Sequence, residues 1–336
     1  MNRTGETTGR LFKMCTEVTD ICTVERTVLG YYPNFGANAF FAAAFLLFAA
    51  ASGGIGVWKK TWTFTVTVTG GTALEGVGYI GRMMLNKNPW NTGAFQMQIC
   101  AIILGPTFIC VGIYLTLKHI TLNLNPSLSR IKPRLYPWIF LPADVSCLVV
   151  QAIGGGLAGA AGNKNPKLLQ GGNRAIIAGV ALQVVVLLAF GVLGVDYWLR
   201  LRKWVRAVEA AGGTLEGEDE EMTRRAMQLY REPRFRKFAY AIAGAYGAIL
   251  TRCIYRIAEM AGGWGNHIMQ DEISFMILDS ALVLIAVGLL TIFHPGLFFP
   301  PMATGVKRKV DAEATTTAGD TTPELVEARP VSKEAM

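Results

Sequence analysis

The sequence predicts an all-α, polytopic membrane protein with seven transmembrane helices, the N-terminus outside and the C-terminus in the cytosol. Three observations carry that prediction. Of 336 residues, 51% are hydrophobic and only 17% charged, with a mean hydropathy of +0.35, whereas a soluble domain carries roughly a quarter charged residues. The apolar residues fall in seven long blocks, 37–57, 62–84, 93–117, 135–156, 174–196, 238–260 and 273–295, each near the ~20 residues that a bilayer span requires. Lys and Arg are unevenly shared between the two sets of connections. Nineteen lie on the side holding loops 1, 3 and 5 and the start of the C-terminal tail, nine on the other, and the richer side is cytosolic by the positive-inside rule. The alternation of barrel strands is absent.

Taken in order, residues 1–36 form an outer N-terminal segment, 37–297 a seven-helix domain and 298–336 a cytosolic tail. The first segment is polar and has no compact apolar stretch of the kind found in a cleaved leader, so the first span is expected to target the chain. Cys15 and Cys22 lie in this segment, where a disulfide is permitted; Cys100, Cys110, Cys147 and Cys253 fall within spans. Asn2-Arg3-Thr4 has the form of a glycosylation acceptor. Pro106 interrupts the third span, and Pro137 and Pro142 the fourth. Each proline removes a backbone donor and frees a carbonyl. Loop 5, from Leu199 to Lys237, reads as a solvated connector that is basic at both ends and acidic at Glu216 to Glu221, with its start continuing the fifth helix. The Thr-, Glu-, Pro- and Ala-rich tail from Ala303 has a composition that predicts disorder. No internal repeat is evident.

Ionisable residues inside spans cost at least about 2.5–3.5 kcal/mol each on insertion scales and commonly face the bundle interior. Glu75, Asp144, Arg252 and Asp279 are such residues, and Gln151 and Gln183 add uncharged polar groups. Glu75 and Arg82 are seven apart, as are Asp144 and Gln151, and Glu272 and Asp279. Arg252, Arg256 and Glu259 follow i, i+4, i+7. Each set occupies one stripe of its helix. At about 1.5 Å of rise per residue, Glu75, Gln183, Arg252 and Asp279 share one level in the outer half of the bilayer. Asp144 lies near the middle, and Arg82, Arg256, Glu259 and Glu272 form a second ring at the outer boundary. Arg252 is expected to pair with Glu75 or Asp279. The deep acids outnumber the one deep base, so at least one acid must be protonated or meet a cation; Asp144, deepest and beside Pro142, is the candidate for proton transfer or for docking a substrate amine.

Several function classes are excluded. The net charge of +8 is a topology signal, able to touch anionic lipid, and nothing in it reads nucleic acid. Gly76, Gly78 and Gly81 form G-x-G-x-x-G, but inside a span rather than between a strand and a soluble helix, so they read as a surface for close helix approach. A Walker loop is missing. The three histidines, His119, His267 and His294, lie at opposite faces and cannot converge on one metal. No metal, haem or other cofactor is expected, and no enzymatic activity.

The pattern resembles the RTA-like (resistance to aminocholesterol) family of fungal lipid-translocating exporters. The resemblance runs from Tyr31 to Gly296. It includes Tyr31-x-Pro33 and Asn38, Glu75-x-x-Gly78-Tyr79-x-x-Arg82, Gly105-Pro106 with Tyr114, and Asp144-Val145 with Gln151 and Gly154-Gly155-Gly156. It continues through Gly179 with Gln183, Arg252-x-x-Tyr255-Arg256-x-x-Glu259, Glu272, Asp279 and His294-Pro295-Gly296. It departs at Lys118-His119, Cys253 and Met260. The resemblance implies seven spans with the N-terminus outside, and a role in lipid movement or asymmetry. Sphingoid long-chain bases are the best-known substrates and resistance to toxic amphiphiles the usual phenotype. The expected function is a lipid translocator of the plasma membrane or an endomembrane whose partners are membrane lipids. The alternative is a seven-helix receptor or regulator of lipid homeostasis acting through cytosolic partners of loop 5 and the tail.

Overall fold

The computed structural model describes residues 15–20, 22–161, 165–212, 219–262 and 266–302. The glycosylation sequon, the part of loop 5 from Gly213 to Glu218 and the tail from Ala303 lie outside these. The described residues are helical apart from their connections: α1 (Phe35–Lys59), α2 (Trp62–Lys87), α3 (Thr92–Asn123), α4 (Leu135–Ala161), α5 (Pro166–Ala210), α6 (Glu220–Arg231), α7 (Pro233–Ala261) and α8 (Glu272–Phe298). Asn34, Asn91 and Asn165 cap α1, α3 and α5 with their side chains, supplying acceptors for amides that a helix start leaves unpaired.

Six of these helices, all but α2 and α6, are long and apolar enough to cross a membrane. Their outward faces are those of a lipid-facing bundle: Phe40, Leu47, Val192, Ile277 and Ile285 are exposed. Trp58, Trp62 and Trp138 are also exposed. They sit where α1 ends and α2 and α4 begin, at one end of the bundle, as an interfacial aromatic belt does. Helix α2 has 26 residues, enough in length, but its threonines, glycines, Glu75 and Arg82 dilute its hydropathy. It packs tightly between α1 and α3.

Glycines set that packing. A Cβ on Gly76 would lie 2.9 Å from Leu46 Cδ2 of α1. On the opposite side, Cβ atoms on Gly78 and Gly81 would lie 2.6 Å from Ile102 Cγ1 and 3.0 Å from the Ala94 carbonyl of α3. The G-x-G-x-x-G spacing is thus a two-sided contact surface within a continuous helix. Its glycines bring Glu75 and Arg82 against two other helices.

Loop 5 differs from the solvated connector expected of it. Helix α5 runs for 45 residues, about 67 Å at 1.5 Å per residue and more than twice the hydrocarbon thickness. After it comes α6, capped by the Asp219 carboxylate on the amides of Glu221 and Met222. Its Thr223, Ala226 and Met227 are buried and the Tyr230 ring packs at a tilt against Trp198. These positions follow i, i+3, i+4, i+7, the stripe by which an amphipathic helix packs on a core. The charges that made the loop look solvated occupy the other face. Pro106 and Pro142 sit inside helices that continue through them.

Substitution at a glycine set against backbone tests this packing. Gly81→Ala places a methyl 3.0 Å from backbone atoms of Ala94 and Gln98, which cannot rotate aside, and is expected to cost about 1–3 kcal/mol. Gly70→Ala, which meets nothing within 4 Å, is expected to be neutral. Thermal unfolding of the detergent-purified variants reads both.

Candidate functional site

The polar residues of the spans converge in the bundle interior: Glu75, Asp144, Gln151, Gln183, Arg252 and Asp279 are all buried. They fall into three clusters. The first joins α7 to α8. Arg252 Nε lies 2.7 Å from Asp279 Oδ1, and Arg252 Nη2 donates to the Ile102 carbonyl of α3 at 2.7 Å. The ion pair is close, yet its N–H is not aligned on either Asp279 oxygen as a hydrogen bond. Asp279 stands in a π-helical stretch, Met276–Ala281. In an α-helix successive side chains diverge by about 100°; here the widened turn turns two neighbours inward. Asp279 reaches Arg252, and Ser280 accepts from Tyr79 of α2 at 2.5 Å. Of the two partners open to Arg252 in the sequence, the structure selects Asp279.

Glu75 lies beside this pair without joining it. It is completely buried, and neither carboxyl oxygen has a hydrogen-bond partner. Its carboxyl occupies the space that a Cβ on Gly105 of α3 would need, 2.7 Å from Oε1.

The second cluster spans α3, α4 and α5. The Tyr114 hydroxyl donates to Asp144 Oδ2 at 2.8 Å, while Asp144 Oδ1 has no partner. Tyr114 is itself set in an aromatic group with Phe140 and Phe190. On the same stripe of α4, Gln151 donates to Gln183 of α5 at 3.2 Å, and Gln183 to Thr107 of α3 at 3.3 Å. Helix α4 packs closely on α5 but only lightly on α3, so Asp144 and Tyr114 face each other across the loosest seam between sequential long helices.

The third cluster is the ring of charges beneath the N-terminal segment, expected from the sequence at the outer boundary. Arg82 lies 3.6 Å from Glu272, and Arg256 lies 2.5 Å from Glu259. Arg82, Arg256 and Glu259 line one small cavity of about 20 Å³ together with Gln98 and Phe275, and the Arg82 guanidinium stacks on the Phe275 ring at 4.2 Å. The N-terminal segment closes over this ring. Arg82 donates to Asn38 Oδ1 and to the Tyr31 hydroxyl, both at 2.9 Å, and the Asn34 amide donates to Glu272 at 2.8 Å. Burial raises the Tyr31 phenol above its ordinary value, keeping it neutral as an acceptor. The segment is held further by a Cys15–Cys22 disulfide, and by Trp90 donating to the Cys22 carbonyl at 3.0 Å.

Sequence reasoning found the charged members of these clusters with Gln151 and Gln183, but not the pairing roles of the other neutral groups. Tyr31, Asn38, Tyr79 and Tyr114 were visible as family positions. Thr107 and Ser280 carried no signal among the many hydroxyls of the spans. Three buried bases, Arg82, Arg252 and Arg256, are each matched to an acid. Among the described residues Glu75 and Asp144 are the two buried acids left without a base. Among the described residues no group of three or more His, Cys, Asp or Glu could hold a metal ion.

Comparison with known proteins places this geometry. The family model described as RTA1 like protein matches residues 68–302. The chain is 33% identical over 246 residues to the sphingoid long-chain base transporter RSB1 of Saccharomyces cerevisiae, covering 69% of this chain and 64% of that protein. It thus spans less than two thirds of that relative's length. It is 26% identical over 233 residues to protoporphyrin uptake protein 1 of the same organism, covering 68% of this chain and 67% of the relative. No solved structure matches the chain.

The Arg252–Asp279 pair gives a direct energetic test. Arg252→Met strands a buried acid and is expected to cost about 3–5 kcal/mol; adding Asp279→Leu in the same chain is expected to recover most of that loss, as replacement of a whole buried pair by apolar groups does. Unfolding midpoints of the single and double variants in detergent measure the difference.

Proposed function

This integral membrane chain belongs to the RTA1-like family, and from that premise we propose that it translocates membrane amphiphiles with a cationic headgroup, sphingoid long-chain bases or close analogues. Helix α2 serves as the seventh span. Its length suffices, and its charged residues Glu75 and Arg82 are buried inside the bundle rather than offered to lipid. The loop charges orient the N-terminus outward and the C-terminus to the cytosol, in the plasma membrane. Movement of such lipids contributes to leaflet asymmetry and to resistance against toxic amphiphiles.

One observation carries the reading: a buried acid with a free oxygen, Asp144, at the lightly packed seam between α3 and α4. A sphingoid base is a long alkyl chain with an amine and hydroxyls at one end. Its chain can remain in lipid while the headgroup passes between α3 and α4. The amine then meets Asp144 Oδ1 beside the aromatic faces of Tyr114, Phe140 and Phe190, which favour a cation. Glu75 is the second acid able to receive an amine, and Arg252 and the Gln151–Gln183 pair offer donors to hydroxyl or phosphate groups. An uncompensated carboxylate at this depth is costly, so a bound ammonium stabilises the site while the site solvates the ammonium. No bond is made or broken in this cycle. The relative named as a sphingoid long-chain base transporter supports the choice of substrate class.

Asp144→Asn keeps an acceptor for the Tyr114 hydroxyl and removes only the charge. It is expected to preserve folding and to reduce efflux of a labelled sphingoid base from cells at least tenfold, with Ser146→Ala on the same helix unaffected. Unchanged efflux from well-expressed Asp144→Asn protein would sink the assignment. Orientation is checked separately by labelling single cysteines: Asp20→Cys is expected to react with a membrane-impermeant maleimide added outside intact cells, and Glu220→Cys only after permeabilisation.

A further inference from the structure

We propose that Glu75 is a proton-binding site, and that loss of its proton sets it in competition with Asp279 for Arg252, so that proton occupancy selects between two pairings of the polar core. The site goes beyond the docking role of Asp144; only its coupling to lipid movement rests on the translocator reading.

The argument begins with inventory. Glu75 is fully buried and has no hydrogen bond at either oxygen. The charges acting on it are those of Asp279 from α8 and of Arg252 and Arg256 from α7. Both arginines are already engaged, Arg252 by Asp279 and the Ile102 carbonyl, Arg256 by Glu259. On its own helix the titratable neighbour is Tyr79, whose hydroxyl is committed to Ser280. From α3 it meets the backbone at Gly105, and the α1 side chains packed on this stretch, Phe41, Phe45 and Leu46, are apolar. An ionised Glu75 would therefore be a second carboxylate beside one matched base. Such a charge is costly in a low-dielectric interior, and a bound proton removes it.

The neighbouring pair is built to be exchanged. Its contact is short but not aligned as a hydrogen bond, and Asp279 sits on a π-helical turn, a geometry that can shift by one residue to α. When Glu75 releases its proton, Arg252 gains a second carboxylate on α2. The proton then resides on Asp279 or leaves, and the α7–α8 tie is traded for an α7–α2 tie. Passage to Asp279 moves one proton between two carboxyls and release moves one from a carboxyl to water, with no other reactant in either case.

Infrared difference spectra of the purified full-length protein read this directly. At neutral pH the wild type is expected to show the carbonyl stretch of a protonated carboxylic acid in a water-free setting. Glu75→Gln is expected to abolish that band. Asp144→Asn is expected to retain it. Asp279→Asn is expected to abolish it too, because Glu75 then ionises to pair with Arg252; this variant keeps the test open should Glu75→Gln not fold. A band that survives in folded Glu75→Gln, that survives in Asp279→Asn, or that is missing from the wild type overturns the proposal. The docking reading is judged independently by efflux. A band missing from wild-type protein that still supports efflux sinks the proton site alone, while unchanged efflux in Asp144→Asn with the band in place sinks the docking role alone.

Discussion

Burying charge where water cannot reach it is the constraint that organises this molecule. Every ionised group in the bundle interior must be matched, and the Arg252–Asp279 pair is the central match. It ties α7 to α8, and through the Ile102 carbonyl it ties both to α3. The π-helical turn at Met276–Ala281 follows from the same requirement, because it allows Asp279 to meet Arg252 while Ser280 meets Tyr79. The ring beneath the N-terminal segment repeats the logic with Arg82, Glu272, Arg256 and Glu259. There the N-terminal segment adds Tyr31 and Asn34 as neutral partners that cover the charges.

Matching requires proximity, and proximity comes from small residues. Helix α2 approaches α1 at Gly76 and α3 at Gly71, Gly78 and Gly81, each at a distance that a methyl group would close. Without that approach Glu75 could not lie against Gly105, nor Arg82 reach Asn38. The glycines and the charges of α2 are one device: the first bring the helices together, and the second occupy the interior that results. The seam between α3 and α4 is the contrasting region. It is lightly packed, crossed by a single Tyr114–Asp144 hydrogen bond, and ends in an acid with a free oxygen. Rigidity on one side of the bundle and a loose, charged seam on the other form the physical basis of the proposed lipid path.

How much of this was legible in the sequence varies from element to element. The helical class and the apolar rods were legible, because 20-residue apolar blocks have few other physical meanings. The charged layer was legible because each of its members breaks a hydropathy rule: Glu75, Asp144, Arg252 and Asp279 stand out in apolar surroundings. Their partners were not, since pairing depends on helix rotation and on the register change at Asp279, and neither is written in spacing along one chain. Depth counting put Arg252 level with both Glu75 and Asp279; only packing decides between them. Helix α6 was missed although Asp219 and the Thr223, Ala226, Met227, Tyr230 stripe were present, because the charge of the surrounding residues dominated the reading. Helix α2 is the opposite case. Composition leaves it short of a conventional span, and its enclosure by α1 and α3 explains why a span there could afford so many polar groups.

The central claim is that this chain by itself moves a cationic amphiphile across a bilayer. The most direct test reconstitutes the purified full-length protein alone in liposomes carrying a labelled sphingoid base in one leaflet, and follows the fraction exposed to an impermeant quencher. The account predicts that the protein accelerates equilibration of the base well above protein-free liposomes with no other protein present. Equilibration no faster than in protein-free liposomes, from protein shown to be folded, would contradict it and favour a role in regulating other transporters.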